Sequence, residues 1–288
     1  QAYNVLEGNV VVLFQTGCAM VTTTGYPKTA HRITYIHNLF QNGAATLSGL
    51  VEMYHERVRR GEIPAAPEGE ETTFIMVTGD GGMDIGMGAA LGTANRNHKM
   101  IILEYDNQGY MNTGSQLSYA TPYGHRTSTS EVGDKLSGKR FHHKDTPQIF
   151  AACNLPYVFT ASEGYPEDFM RKISKAQWYA RREGFVYGKV LSFCPLNWRT
   201  KDDAAQEVLQ TAIDCCFFPL YEVERGSTHI TYDPDAIGRR RSVGAWLGQM
   251  GKTKHMLEPD NAERLEMLEH EFDKRWRKLK IKSEHPEL

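Results

Sequence analysis

Thr73-Phe74-Ile75-Met76-Val77-Thr78-Gly79-Asp80-Gly81-Gly82, read together with Asp106-Asn107-Gln108-Gly109-Tyr110, decides the fold of this chain. The apolar run over 73–78 reads as a buried strand, Met83–Arg96 as a helix and Met100–Tyr105 as the next strand. Such a unit brings its turns to the carboxyl ends of parallel strands, where open α/β sheets bind ligands. Gly79, Gly81 and Gly82 let backbone N–H groups at a helix start approach a phosphate or diphosphate. Asp80 stands among them as a hard oxygen ligand. Asn107 follows 27 residues later, so one strand–helix–strand traverse returns it beside Asp80. A carboxylate, an amide oxygen and a backbone carbonyl, with diphosphate oxygens and water, suit an octahedral Mg²⁺. The competing reading of Asp80 is a turn aspartate capping the next helix.

Outward from this unit the alternation continues. Val10–Gln15 reads as a buried strand, Asn42–Arg60 as a helix with small residues at its start, and Pro64–Glu71 as a polar loop. The stretch Asp106–Val132 is long and rich in Gly, Ser, Thr and Tyr, as functional or disordered loops are. Gln148–Cys153 reads as a short helix and Tyr157–Thr160 as a strand. Pro166 with Glu167 and Asp168 opens a helix carrying Phe169, Ile173, Ala176 and Tyr179 at helical spacing. Phe185–Phe193 reads as a strand and Ala204–Cys216 as a helix. The sum predicts an α/β fold with a mostly parallel sheet flanked by helices. From Tyr221 the character changes: a hairpin over Tyr221–Tyr232, then a charged helical extension over Pro259–Lys280 with Leu265, Leu268, Phe272 and Trp276 on one side. The division expected is 1–225 for the cofactor-binding α/β domain and 226–288 for an extension packing on its own domain or a neighbouring subunit.

Composition narrows the classes. Hydrophobic residues at 40% and charged residues at 24% exclude disordered, collagenous and coiled-coil chains. A net charge of −2 offers no global field for nucleic acid or a membrane surface. No apolar run approaches the roughly 20 residues of a spanning helix. Five cysteines without any Cys-x-x-Cys argue against a disulfide scaffold or a Cys₄ zinc site, and for a reducing, cytoplasmic compartment. Cys215 and Cys216 read as core, and His142-His143 as surface.

The run Asp106 to Gln116, with Ala120-Thr121-Pro122-Tyr123-Gly124, resembles the thiamine-binding subunit of the 2-oxoacid:ferredoxin oxidoreductases, of which pyruvate:ferredoxin oxidoreductase is the best-known member. Thr16-Gly17-Cys18, Lys144-Asp145-Thr146-Pro147, Tyr165-Pro166-Glu167-Asp168, Cys194-Pro195 and Pro219-Leu220-Tyr221-Glu222 match it too, so the resemblance spans about residues 10–225. It implies a thiamine diphosphate-binding fold and oxidative decarboxylation of a 2-oxoacid, with acyl transfer to coenzyme A and electrons passing to ferredoxin or another acceptor. It implies Mg²⁺ on Asp80, Asn107 and the carbonyl of Gly109, and diphosphate contacts from Gly79, Gly81 and Gly82. Asn112 and Thr113 would then approach cofactor and substrate, with a left-handed turn asparagine as the competing reading of Asn112. Cys18 and Cys194 would be two of four ligands of a [4Fe–4S] cluster. The other two belong to a Cys-x-x-Cys pair further upstream than the 17 residues preceding Cys18, so either an N-terminal segment is absent, which is the expectation, or the cluster is lost or completed otherwise. The family draws the carboxylate that activates the thiamine ring from a different subunit and carries further iron–sulfur clusters on another, which implies a hetero-oligomer. Pyruvate is the commonest substrate; phenylglyoxylate, indolepyruvate, branched-chain 2-oxoacids and oxalate stay open. The alternatives are a non-oxidative thiamine decarboxylase or synthase, and a non-catalytic subunit.

Overall fold

The computed structural model describes residues 1–29 and 31–286. In chain order the elements are β1 (Val10–Gln15), α1 (Cys18–Thr23), β2 (Thr34–Asn38), α2 (Gly43–Arg59), β3 (Thr73–Gly79), α3 (Asp80–Asn95), β4 (Ile101–Asp106), β5 (Val132–Gly133), β6 (Leu136–Ser137) and α4 (Thr146–Ala151). They continue as β7 (Tyr157–Ser162), α5 (Pro166–Arg182), β8 (Val186–Leu191), α6 (Pro195–Trp198), α7 (Ala205–Asp214), β9 (Leu220–Glu224), β10 (Ser227–Tyr232), α8 (Val243–Leu247) and α9 (Ala262–Glu284).

Eight strands form one sheet in the order β10-β9-β7-β8-β4-β3-β1-β2. Pairings from β2 through β7 are parallel, and β9 enters antiparallel to β7 and β10. Successive side chains of a strand point to opposite faces, and the core divides accordingly. Leu13, Met76, Ile102, Val158 and Tyr187 face α2, α3, α4 and α9. Val12, Ile75, Ile101, Phe159 and Val186 face α5, which buries Phe169, Ile173, Ala176 and Tyr179 against them. Ile173 is fully buried there, so truncation to Ala would cost about 2–5 kcal/mol.

The expected strands and long helices form, with shifted ends. The largest shift concerns the glycine turn. Gly79 ends β3 and Asp80 already begins α3, so Gly81 and Gly82 are helical and no loop separates strand from helix. Sequence pattern alone starts the helix at Met83, because glycines are poor helix formers; here close packing overrides that preference. The helix α1 and edge strand β2 carry no clear periodicity and were not expected. The two histidines differ from the surface reading: both are half-buried, and His143 packs against Phe217 and Phe272. Cys215 and Cys216 are core. Residues 226–286 supply β10, α8 and α9; Leu268, Phe272 and Trp276 of α9 are buried, with Trp276 in the same cluster as Leu13. Among the described residues no helix is long and apolar enough to cross a membrane.

Candidate active site

A cleft opens at the carboxyl ends of β1, β3 and β4. It is lined by Thr16, Gly17 and Cys18 after β1, by Gly79, Asp80, Gly81 and Gly82 where β3 meets α3, and by Asn107, Gly109, Tyr110, Met111, Asn112 and Thr113 after β4. The first turn of α3 has N–H groups without intrahelical partners, and Gly79 caps it with no side-chain bond. The cleft therefore offers donors suited to an anion.

The glycines are required by what presses on them. A Cβ on Gly81 would meet the Tyr110 ring at 2.3 Å, and one on Gly79 would meet the Tyr105 ring at 3.0 Å. Tyr110 donates its hydroxyl to Gly81 O (3.1 Å), and the Tyr105 hydroxyl accepts from Ala19 N (3.2 Å).

Asp80 is buried. Burial first, and the neighbouring Asp106 carboxylate second, push its carboxyl well above the usual range; the Ser118 hydroxyl, donating to Oδ2 at 2.5 Å, works the other way. The Asn107 amide decides what this carboxylate suits. Its nitrogen reaches Cys18 Sγ at 3.6 Å. Its oxygen then faces two further acceptors, Gly109 O at 3.0 Å and Asp80 Oδ1 at 3.2 Å. Turned over, the amide nitrogen would donate to both of those oxygens. Neighbouring ligands of an octahedral Mg²⁺ stand about 3 Å apart, given metal–oxygen distances of about 2.1 Å. The two distances from the Asn107 oxygen match that spacing, so the donor set fits a small divalent cation. Among the described residues no three His, Cys, Asp or Glu side chains cluster for a metal; the set here uses an amide and a carbonyl instead.

Asn107 is held from behind. Its carbonyl accepts from Asn197 Nδ2 (2.7 Å) and Trp198 Nε1 (3.1 Å), both on α6 directly after Cys194. Cys18, the first residue of α1, and Cys194 are half-buried free thiols. Burial pushes the Cys18 thiol up; the Asn107 bond lowers it, and Cys194 lies close enough to raise it further. The fold thus brings together two cysteines that are 176 positions apart. Cys153 lies elsewhere, on the segment after α4.

Asn112 and Thr113 sit exposed at the cleft mouth, with Thr113 Oγ1 donating to Gln116 Oε1 at 2.5 Å. The left-handed residues of this segment are Gln108 and Ser115, not Asn112. Sequence reasoning missed several contributors. Ser118 orients Asp80. Lys139, fully buried, donates Nζ to Ser118 O (3.0 Å), Tyr119 O (3.2 Å) and Thr121 O. Lys252 donates to Gln108 Oε1 at 2.5 Å, and burial lowers its amine to about 7. A lysine in a polar segment gives no signal of burial in sequence.

Comparison with known proteins identifies the family. Residues 16–187 match the thiamine pyrophosphate enzyme, C-terminal TPP binding domain family. Pyruvate synthase subunit PorB of Thermotoga maritima is 40% identical over 93% of this chain and 81% of its own length. The PorB subunit of Methanocaldococcus jannaschii is 38% identical over 88% and 82%. Ketoisovalerate oxidoreductase subunit VorB of Pyrococcus abyssi is 30% identical over 94% and 83%. A solved structure, 2-oxoglutarate:ferredoxin oxidoreductase from Magnetococcus marinus, superposes with a TM-score of 0.51 at 21% identity, over 70% of this chain and 67% of that one, a likeness of fold.

Proposed function

The chain belongs to the thiamine diphosphate-binding subunits of the 2-oxoacid:ferredoxin oxidoreductases, and from that premise we propose how its own residues serve the reaction and which 2-oxoacid it takes. It is one subunit of an oxidoreductase complex, and thiamine diphosphate is its cofactor. When bound, that cofactor supplies the nucleophilic carbon and the electron sink for decarboxylation.

The convergence of Asp80 Oδ1, Asn107 Oδ1 and Gly109 O carries the reading. These three hold Mg²⁺, and the metal with the first turn of α3 holds the diphosphate, Gly79, Gly81 and Gly82 allowing the approach. Asn112 and Thr113 at the cleft mouth contact cofactor and substrate. Asp80 is the one carboxylate among the cleft-lining residues, and it is committed to the cation. The carboxylate that activates the thiamine ring therefore comes from a partner subunit.

Cys18 and Cys194 are two ligands of a [4Fe–4S] cluster beside this cleft. Further clusters on another subunit carry electrons to ferredoxin or a comparable acceptor. Five free thiols support a reducing, cytoplasmic setting.

Pyruvate is the substrate, with coenzyme A as acyl acceptor; the support is that relatives at 40% and 38% identity are named pyruvate synthase subunits. A branched-chain 2-oxoacid is the second reading, favoured by the ketoisovalerate relative at 30%. Assay of the purified complex against a panel of 2-oxoacids, with and without coenzyme A, tests both. The expected result is coenzyme A-dependent acceptor reduction with pyruvate at the highest kcat/KM. Equal or better turnover of 3-methyl-2-oxobutanoate would reverse the choice.

A further inference from the structure

A second cavity, of about 450 Å³, lies between the sheet and α9; its inner end reaches Asp106, one residue before Asn107 of the cleft. That size falls within the range of about 300–1,000 Å³ that holds nucleotide-sized ligands. One wall is apolar and aromatic: Phe217, Phe218, Pro219 and Tyr221 from the entry to β9, closed by Leu279 of α9. Of the carboxylates lining it, Asp106 pairs with Lys189, Glu271 pairs with Arg275, and Asp145 caps α4, while the rim on α9 carries lysines. Lys274, Lys278 and Lys282 recur every four residues on α9 and so share one face, exposed at the cavity mouth.

These lysines are poorly matched by the protein itself. Lys274 reaches Glu271 only at 3.8 Å. Lys282 donates to the neutral Gln148 Oε1 at 2.7 Å, and among the described residues no carboxylate pairs with it or with Lys278. Like charges at i and i+4 repel along a helix, and an anion across the mouth would relieve all three.

His143, on the same wall, adds a second sign. Arg275 Nη1 lies 2.7 Å from His143 Nε2 and Nη2 donates to His143 O at 2.8 Å. A guanidinium cannot accept, so Nε2 accepts and the ring proton sits on Nδ1. That Nδ1–H is buried and has no acceptor.

We propose that this cavity binds an organic phosphate with a planar ring, in the manner of a nucleoside diphosphate: the ring against Phe218 and Tyr221, the phosphates on Lys278 and Lys282. This goes beyond the thiamine site: the two share no lining residue, although Asp106 at the inner end of the cavity adjoins Asn107.

The test titrates the full chain and the intact complex with ADP, adenosine and inorganic phosphate by calorimetry. Saturable ADP binding at least tenfold tighter than adenosine or phosphate is expected, weakening with added salt. The double variant Lys278→Glu/Lys282→Glu, on an exposed face, should lose at least tenfold in ADP affinity with an unchanged melting curve. Asp80→Ala should leave ADP binding intact. Coenzyme A carries the same phosphoadenosine chemistry; displacement of ADP by it would assign the site to that end of the molecule, and no displacement to a free nucleotide. Absence of ADP binding at millimolar concentration, indifference to the charge reversal, or loss of binding in Asp80→Ala would each overturn the proposal.

Discussion

The side-chain amide of Asn107 donates to Cys18 Sγ at 3.6 Å while its oxygen faces Asp80 Oδ1 at 3.2 Å. One side chain therefore joins the cation cradle to a cysteine carried by a different strand end. The backbone of the same residue is held by Asn197 and Trp198, which follow Cys194 on α6. Asn107 is the point at which the segments after β1, β4 and β8 meet.

Replacing Asn107 by Ala should strike cofactor retention first. It removes one of the three oxygens proposed for the cation and would leave Asp80 and Gly109 to hold it alone. Thiamine diphosphate affinity in the presence of Mg²⁺ should fall at least tenfold, about 1.4 kcal/mol. Calorimetric titration of the variant against wild type measures this; unchanged affinity would mean that the amide is only a turn residue.

Asp80 and Ser118 form a graded pair. Asp80→Ala should abolish Mg²⁺-dependent cofactor binding without unfolding the chain, because a buried carboxylate disfavoured by its surroundings stabilises little in the absence of a cation. Ser118→Ala removes one hydrogen bond to that carboxylate, worth about 1.5–3 kcal/mol for a charged acceptor. It also leaves Ala120 N without its acceptor (3.1 Å), so it should weaken cofactor binding by about tenfold and lower the apo melting temperature by a few degrees. Full activity of Asp80→Ala at limiting thiamine diphosphate would remove the metal assignment.

The isolated chain, loaded with thiamine diphosphate and Mg²⁺, should not decarboxylate any 2-oxoacid. Asp80 is the single acid lining the cleft, and a carboxylate bound to the cation cannot also engage the thiamine ring. Stopped-flow or CO₂-release assays of the isolated subunit, then with its partner restored, check this. Turnover by the subunit alone would locate the activating base within these residues.

The strands and the βαβ unit were legible because buried parallel strands announce themselves as β-branched runs, and Asp80 and Asn107 because their spacing matches one traverse of that unit. Ser118 and Lys139 were not legible. Ser118 lies in the long loop between β4 and β5 and Lys139 in the segment between β6 and α4; nothing periodic constrains either stretch, and their roles arise from tertiary contacts with Asp80 and with loop carbonyls. The start of α3 at Asp80 was hidden for a related reason: Gly81 and Gly82 look like a loop until Tyr110, Thr78 and Gln15 are seen packed where their Cβ atoms would be.

Lys139 should make stability pH-dependent in a defined window. Burial lowers its amine to about 8 in the folded chain, against about 10.4 in an unfolded one. The native state thus binds fewer protons between those values, so this residue's contribution rises from pH 8 to about 10.4 and is lost as pH falls through 8. Lys139→Met should erase that rise. It should also destabilise by about 2–4 kcal/mol, since the carbonyls of Ser118, Tyr119 and Thr121 lose their donor in a buried site. Urea unfolding at pH 7, 8.5 and 10 measures both effects, and equal slopes for the two proteins would refute the assignment.

Cys194→Ser should separate electron exit from cofactor binding. Cys18 and Cys194 are half-buried thiols brought close by the ends of β1 and β8, and neither belongs to the fully buried core as Cys215 and Cys216 do. Thiolate ligands of iron must be deprotonated, and burial, with Cys194 and Asp80 nearby, favours the Cys18 thiol; bound iron would reverse that balance, as metals do for coordinating thiols. In the native complex the variant should contain less iron than wild type and reduce its acceptor at least tenfold more slowly. Its thiamine diphosphate affinity should stay within about threefold, because the cation cradle at Asp80 and Gly109 is untouched; a tenfold loss would be about 1.4 kcal/mol. Two readouts are needed, since a merely structural cysteine would alter stability but leave iron content per folded complex unchanged. Wild-type iron content together with wild-type acceptor reduction would make Cys18 and Cys194 packing residues and place the cluster, if the complex carries one at this position, on other ligands.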